Sequence, residues 1–237
     1  MIINKKNFYI IIFFILIFLL FAFRFHGISY KFDPNVCELP MKWKHSAGTF
    51  EEIQSAVKDK YCGIEIDINL HPEGFFISEY TDPMNIDAPK LVDLMKSFPS
   101  VQYWWLDFKN LKYDNADLAS FALEELTNIT SGKILVESHN FWGLFFLNTN
   151  NNQIFKSYWL AKNSKRYLYF LYLARSIFAM IFINPDFVTM FYHQVGTTDY
   201  IWVGSRQRLA FTVNNIETLN NLYLHNIEVV LTDNLNP

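Results

Sequence analysis

The chain has 237 residues, of which 51% are hydrophobic and 18% aromatic, with a formal charge of -3 and only 8 Gly, 8 Pro and 2 Cys. This composition supports a packed core and excludes global disorder, a collagen-like repeat and a disulfide-stapled miniature fold. The mild acidity argues against a nucleic-acid partner, which would need a basic face.

Residues 1–7 form a short tail ending in Lys5, Lys6 and Asn7. Residues 8–23 are then apolar without interruption, closed by Arg24, and hold much of the phenylalanine excess: seven of the 24 Phe lie between Phe8 and Phe25. At 1.5 Å per residue the run reaches ~24 Å, which snorkelling Lys6 and Arg24 extend towards the ~30 Å of a hydrocarbon core. Residues 8–24 are therefore expected to be a transmembrane signal anchor. That makes the protein a single-pass membrane protein with its remaining chain on the non-cytoplasmic side. A cleaved signal peptide shares the same charge and hydropathy pattern, although Phe23 to Ser29 offers a poor cleavage site. Residues 25–40, with Gly27, Pro34 and Pro40, read as a linker, and Cys37 and Cys62 are available to pair.

From residue 41 onward short β-rich runs alternate with helical ones. Trp43-Lys44-His45 ends a first strand. Thr49, with Glu52 three residues later, opens a helix through a capping box. Ile64 to Ile68 alternates with period two and reads as a strand, with Phe75 to Ile77 as a hairpin partner. Further strands are predicted at Tyr103–Phe108, Lys133–Glu137, Ser157–Leu160, Phe187–Phe191, Leu209–Val213 and Glu228–Leu231. Helices are predicted at Pro89–Phe98, Asp117–Leu126, Phe141–Leu147 and Ile216–Leu224. In Trp104-Trp105 and in Tyr158-Trp159 one ring of each pair must face outward. The segment Tyr167 to Ile183 is apolar apart from Arg175 and Ser176, and fits either a buried barrel helix or a helix lying on a membrane surface. Roughly eight strands alternating with helices specify an α/β fold, most economically a small (β/α)8 TIM-type barrel over residues 41–237, preceded by the N-terminal transmembrane helix.

Glu65 and Asp67 lie on the same face of one strand, where their like charges require a cation, a proton or a basic partner. Mg²⁺ or Ca²⁺ is the natural match for all-oxygen donors. Asp107 and Lys109 repeat the spacing on the next core strand, and His45 ends the strand before. A solvated edge strand is the plain reading of any one such pattern. Two of them on consecutive apolar strands after a His favour a site at the C-terminal mouth of a barrel.

His45, Glu65-Ile66-Asp67, Gly74, Leu106-Asp107-Phe108-Lys109, Phe211-Thr212-Val213-Asn214 and Leu231-Thr232-Asp233 together resemble the glycerophosphodiester phosphodiesterase superfamily. That superfamily belongs to the phospholipase-C-like phosphodiesterases, which share a (β/α)8 barrel. The short gap between His45 and Glu65 is closer to the sphingomyelinase D and menorin branches. The resemblance implies that Glu65, Asp67 and Asp107 hold a divalent metal, that Lys109 contacts the phosphate, and that His45 is one of two acid/base histidines. Counting without gaps, Tyr80 occupies the place of the second histidine. His71, earlier in the same loop, is the nearest substitute, although a solvated loop histidine is its plainer reading. Glu137 and His139 join Lys109 as substrate-binding candidates. The function implied is a membrane-anchored, metal-dependent phosphoric diester hydrolase acting on a glycerophosphodiester or lysophospholipid-like substrate. The alternatives are a catalytically inactive barrel that binds a ligand or partner, and a sphingomyelinase-D-like phospholipase or lyase.

Overall fold

A computed structural model describes residues 9, 12–18, 37, 39, 41–78, 88–160, 169–195, 203 and 206–235, with backbone alone over 169–173. Nine strands form one sheet: β1 (Met41–Lys44), β2 (Gly63–His71), β3 (Gly74–Ile77), β4 (Tyr103–Phe108), β5 (Lys133–Ser138), β6 (Ile154–Trp159), β7 (Phe187–Phe191), β8 (Gln207–Phe211) and β9 (Val229–Thr232). β1 pairs in parallel with both β2 and β9, so eight parallel strands close into a barrel and β3 hangs outside as an antiparallel arm of β2. The connecting helices are α1 (Phe50–Lys58), α2 (Leu91–Ser97), α3 (Ala116–Thr127), α4 (Phe141–Phe146), α5 (Tyr169–Phe178) and α6 (Ile216–Leu224). The TIM-type barrel expected from the alternation is present.

Period-two alternation divides each strand between two cores. Inward side chains such as Met41, Trp43, Tyr103, Trp105, Leu135, Phe187, Leu209, Val229 and Leu231 fill the barrel. Outward ones, including Ile64, Ile66, Trp104, Leu106, Ile134, Val136 and Tyr158, pack under the helices. Trp104 and Tyr158 are thus the outward rings of their pairs. Within the barrel Trp43 stacks on Tyr103 at 5.2 Å and meets Trp105 edge-on at 6.0 Å. Gly63 makes room for them, since a Cβ there would lie 2.5 Å from the Trp43 indole.

Local signals act where the sequence put them. Thr49 caps α1, and both hydrogen bonds of the capping box with Glu52 form. Asn140 caps α4 by accepting from the Gly143 N–H. Two strands are displaced from expectation. β6 begins at Ile154, where pairing with β5 extends it. β8 ends at Phe211, beyond which the regular pairing gives way to single contacts with β9 and the residue after it: the Val213 N–H reaches the Leu231 carbonyl and the Asn214 side chain reaches Asp233.

The expected location needs correction. Among the described residues no helix is long and apolar enough to cross a membrane. Residues 12–18 are helical, but the rest of the expected 8–24 anchor, apart from Tyr9, lies outside the described residues. Of the segment Tyr167 to Ile183, the described residues form α5 and a π-helical turn, Ala179–Ile183, in which Ala179, Met180 and Ile183 are buried.

Cys37 and Cys62 form a disulfide that ties the linker to the residue before β2, with a Cα–Cα distance of 5.9 Å and a sequence separation of 25. Cys37 also packs against the inner core at the barrel floor. Removing the bridge by Cys37→Ser with Cys62→Ser is expected to lower stability by ~3 kcal/mol, as closure of a loop this long implies. Urea denaturation of the intact and double-mutant proteins measures it; coincident curves would show that the cross-link carries no stability.

Candidate active site

The C-terminal ends of the parallel strands converge on one mouth, where barrel loops build sites. β1 delivers His45, whose backbone N–H donates to the Thr232 carbonyl at 3.0 Å. The chain then turns through Ser46 at φ +52°, a region that non-glycine residues seldom adopt. The turn is held by Glu65: the Ser46 N–H donates to its carboxylate at 2.6 Å, and the Ala47 N–H to its backbone carbonyl at 3.0 Å.

Glu65 and Asp67 face inward from β2, and the β2–β4 register sets Asp67 opposite Asp107. Carboxylate oxygens of Glu65, Asp67 and Asp107 all lie within 4.8 Å of one another. Lys109 answers part of this charge, its Nζ lying 2.7 Å from Asp67 Oδ1 and 2.5 Å from Asp107 Oδ2. Burial, then the Asp67 charge, pushes Glu65 well above the usual carboxylate range, against the pull of the Ser46 N–H. Burial raises Asp107 too, although Lys109 offsets part of it. Burial alone would lower the Lys109 pKa, but the Asp107 and Asp67 carboxylates overcome this and hold it above that of a free lysine.

These donors fit a hard divalent cation. All three are oxygens, and oxygens bound at ~2.1–2.5 Å from one ion lie at most ~4–5 Å apart. Glu65 is 97% buried, so an unneutralised charge there carries a desolvation cost that a cation would relieve.

Across the seam between β9 and β1, His45 Nδ1 lies 2.7 Å from Asp233 Oδ1. Asn214 Nδ2 donates to the other Asp233 oxygen at 2.8 Å, and the Lys44 ammonium donates to the Asp233 carbonyl at 2.9 Å. Partial burial opposes ionisation of Asp233, but the hydrogen bonds from Asn214 and His45 outweigh it and hold the carboxyl below its ordinary pKa. An ionised Asp233 accepts a hydrogen bond from the Nδ1–H and so fixes the tautomer, leaving Nε2 free of that proton. Asp233 and Asn214 belong to the motifs quoted above, but the sequence assigned them no role. The signal available was a carboxylate just past the last strand, and only barrel closure sets it beside His45.

The other candidates are placed differently. Glu137 is buried inside the barrel beside Asp107 in the β4–β5 register, accepting hydrogen bonds from Ser157 at 3.0 Å and from Thr189. Burial, then the Asp107 charge, pushes its carboxyl up to about 8. His139 is exposed at the exit of β5, with its ring 6.4 Å from Trp159 and its carbonyl accepting from Arg175 at 2.5 Å. His71 lies four residues beyond Asp67, ~13 Å further along the strand. Its ring meets Phe76 edge-on at 5.6 Å and its charge influences Glu73 on the hairpin, so it is not gathered with the carboxylates. Tyr80 lies outside the described residues.

For the facing side of the mouth the sequence offers a stacking role for one Trp, with core packing as the plainer reading, and gives Phe191 and Phe211 no role. There Trp159, Phe191 and Phe211, at the ends of β6, β7 and β8, form a half-buried aromatic wall with ring centroids 4.7–5.7 Å apart.

No protein-family model matches the sequence, and no curated protein matches it by sequence. The fold is nevertheless that of the glycerophosphodiester phosphodiesterases and phosphoinositol-specific phospholipases C. A phosphodiesterase from Oleispira antarctica, solved with the product sn-glycerol-3-phosphate, is 14% identical at a TM-score of 0.60, covering 82% of this chain and 93% of its own. A glycerophosphodiester phosphodiesterase from Parabacteroides distasonis is 12% identical at 0.60, covering 81% and 92%. A calcium-dependent phosphoinositol-specific phospholipase C from a Pseudomonas species is 10% identical at 0.51, covering 81% and 88%.

Because the Glu137 carboxyl titrates near 8 when folded and near 4.3 when unfolded, the folded state binds the extra proton between those values. Its contribution to stability is therefore complete below pH ~4 and lost as pH rises through ~8. With chelator present, the melting temperature is expected to fall between pH 5 and pH 9, and Glu137→Gln to flatten that fall. Parallel profiles for the two proteins would show that Glu137 is ionised in the fold.

Proposed function

We propose that this chain is a divalent-cation-dependent phosphoric diester hydrolase acting on small glycerophosphodiesters or lysophospholipid-like diesters. The observation that carries the reading is the convergence of Glu65, Asp67 and Asp107 beside a lysine and an Asp-oriented histidine at the mouth of a barrel with this fold.

Glu65, Asp67 and Asp107 would hold the cation, which when bound supplies positive charge to the phosphoryl oxygens. With the carboxylates so engaged, the Lys109 ammonium is able to turn from Asp67 and Asp107 to a phosphoryl oxygen and stabilise charge developing there. His45, steadied through Nδ1 by Asp233, moves a proton at Nε2, taking it from the attacking hydroxyl or giving it to the leaving alcohol. The aromatic wall of Trp159, Phe191 and Phe211 suits the less polar part of a diester, with the phosphate on the charged side.

A second reading keeps the site but not the turnover: the barrel binds a phosphodiester without cleaving it. The position of His71, against Phe76 and away from the carboxylates, favours it, since a second proton donor is then not supplied by that residue. A sphingomyelinase-D-like lyase would share the first step and release a cyclic phosphate.

The test is hydrolysis of a panel of glycerophosphodiesters and lysophosphatidylcholine with Mg²⁺ or Ca²⁺, with products resolved into monoester and cyclic phosphate. Wild type is expected to release an alcohol. His45→Ala should lose ~10²–10⁴-fold in rate and Lys109→Met ~10²–10³-fold, with Glu65→Gln abolishing the dependence on cation. Activity indifferent to Glu65→Gln would remove the site assignment. Cation-dependent binding of a diester without turnover would establish the second reading.

A further inference from the structure

Outside the barrel mouth, one surface gathers six exposed aromatic side chains. Tyr113, before α3, sits 4.7 Å from Phe146 on α4. Phe146 and Phe145 are in contact with Trp142, and Phe145 continues to Phe182 at 6.4 Å, which stacks on Phe178 at 5.6 Å. These six rings form one connected surface, and each is between 37% and 65% exposed. A large aromatic side chain carries about 150–250 Å², so together these residues present roughly 450–750 Å² to solvent. The largest apolar patch on an ordinary monomer is ~300–600 Å².

We propose that this face is a two-fold interface between two copies of the chain. Two such faces together offer roughly 900–1,500 Å², the range of the ~1,000 Å² in total that a specific contact needs. The surface is chemically suited to meet itself: residues 141–147 and 177–183 contain no charged side chain, and aromatic enrichment with charge depletion marks interface cores. An isologous pairing places the same aromatic strip on both sides and closes without further growth. Arg175, the cation of α5, is committed to the Tyr158 hydroxyl at 2.7 Å and the His139 carbonyl, so it does not offer itself to lipid headgroups. The formal charge of -3 also disfavours an anionic surface. Residues 12–18 do not cover the face, since Phe13, Phe14, Leu16 and Phe18 are themselves exposed. Asn140, the cap of α4, directly follows His139; pairing here therefore braces the strand exit beside the mouth.

Sedimentation equilibrium of the full chain between about 1 and 100 µM tests the proposal, using Trp142→Glu and, as an independent variant, Tyr113→Glu. Both side chains are more than half exposed, so far-UV circular dichroism of each variant should match wild type, with any difference in melting temperature vanishing on dilution as the wild type dissociates. The expected result is a wild-type dimer whose dissociation constant rises at least ~30-fold in each variant, as loss of an aromatic anchor produces. A wild type that stays monomeric throughout the range overturns the interface. Association that survives both substitutions overturns it too, since residues 8–23 would then be carrying it. Binding of a monomeric wild type to phosphatidylcholine vesicles, lost on Trp142→Glu, would assign the face to lipid instead.

Discussion

Three carboxylates held within one ion's reach, one of them almost wholly out of water, form an arrangement that the rest of this protein is organised to sustain. Left alone it is unfavourable, because burial and mutual repulsion act in the same direction. The surrounding structure answers it piece by piece. The Ser46 N–H, turned inward by a left-handed residue, points at Glu65, and Lys109 bridges the two aspartates. Glu137, the next carboxyl along the barrel, is kept protonated at neutral pH by burial and by the Asp107 charge, so it does not add to the surplus. The negative charge that remains is concentrated where a cation and a phosphoryl group would both meet it.

The second constraint is closure. β1 is short and gains its partners from both ends of the chain, β2 on one side and β9 on the other. That seam is where the His45–Asp233 pair is assembled: His45 comes from just beyond the first strand, Asp233 from just beyond the last, and Asn214 from the preceding β8–α6 turn. The barrel floor is tied separately, by the disulfide that fastens Cys37 to Cys62 and by Trp43 lying over Gly63. Rigidity at the floor and charge at the mouth are thus supplied by different residues, and the aromatic side of the mouth by a third group on β6, β7 and β8.

Local interactions made most of the architecture legible. The Thr49–Glu52 capping box, the period-two alternation of Ile64 to Ile68 and the Glu-x-Asp and Asp-x-Lys spacings each depend on residues within one turn or one strand, and each takes the form read from them. Where local reading fell short, a distant partner decided. β6 was lengthened by pairing with β5, and beyond Phe211 the pairing of β8 gives way to single contacts of Val213 and Asn214 with β9 and the residue after it. His71 shares the strand parity of Glu65 and Asp67, yet the antiparallel arm carries it to Phe76. The apolar leader is the opposite case: hydropathy alone implied a membrane span, and among the described residues no helix has the length for one.

By itself, then, the sequence determined the alternation of strands and helices, the strand parity that points Glu65, Asp67 and Asp107 inward, and the residue types suited to a hard cation and a phosphate. Those properties follow from backbone geometry and side-chain chemistry over a few consecutive residues. Only the tertiary structure decided that Asp233 orients His45, that Glu137 is sealed beneath the mouth under two hydroxyls, and that six aromatic rings from three separate segments join into one exposed face. Each of these depends on register between strands or packing between helices far apart in the chain. That register is set by closing the barrel around its core and appears in no local pattern.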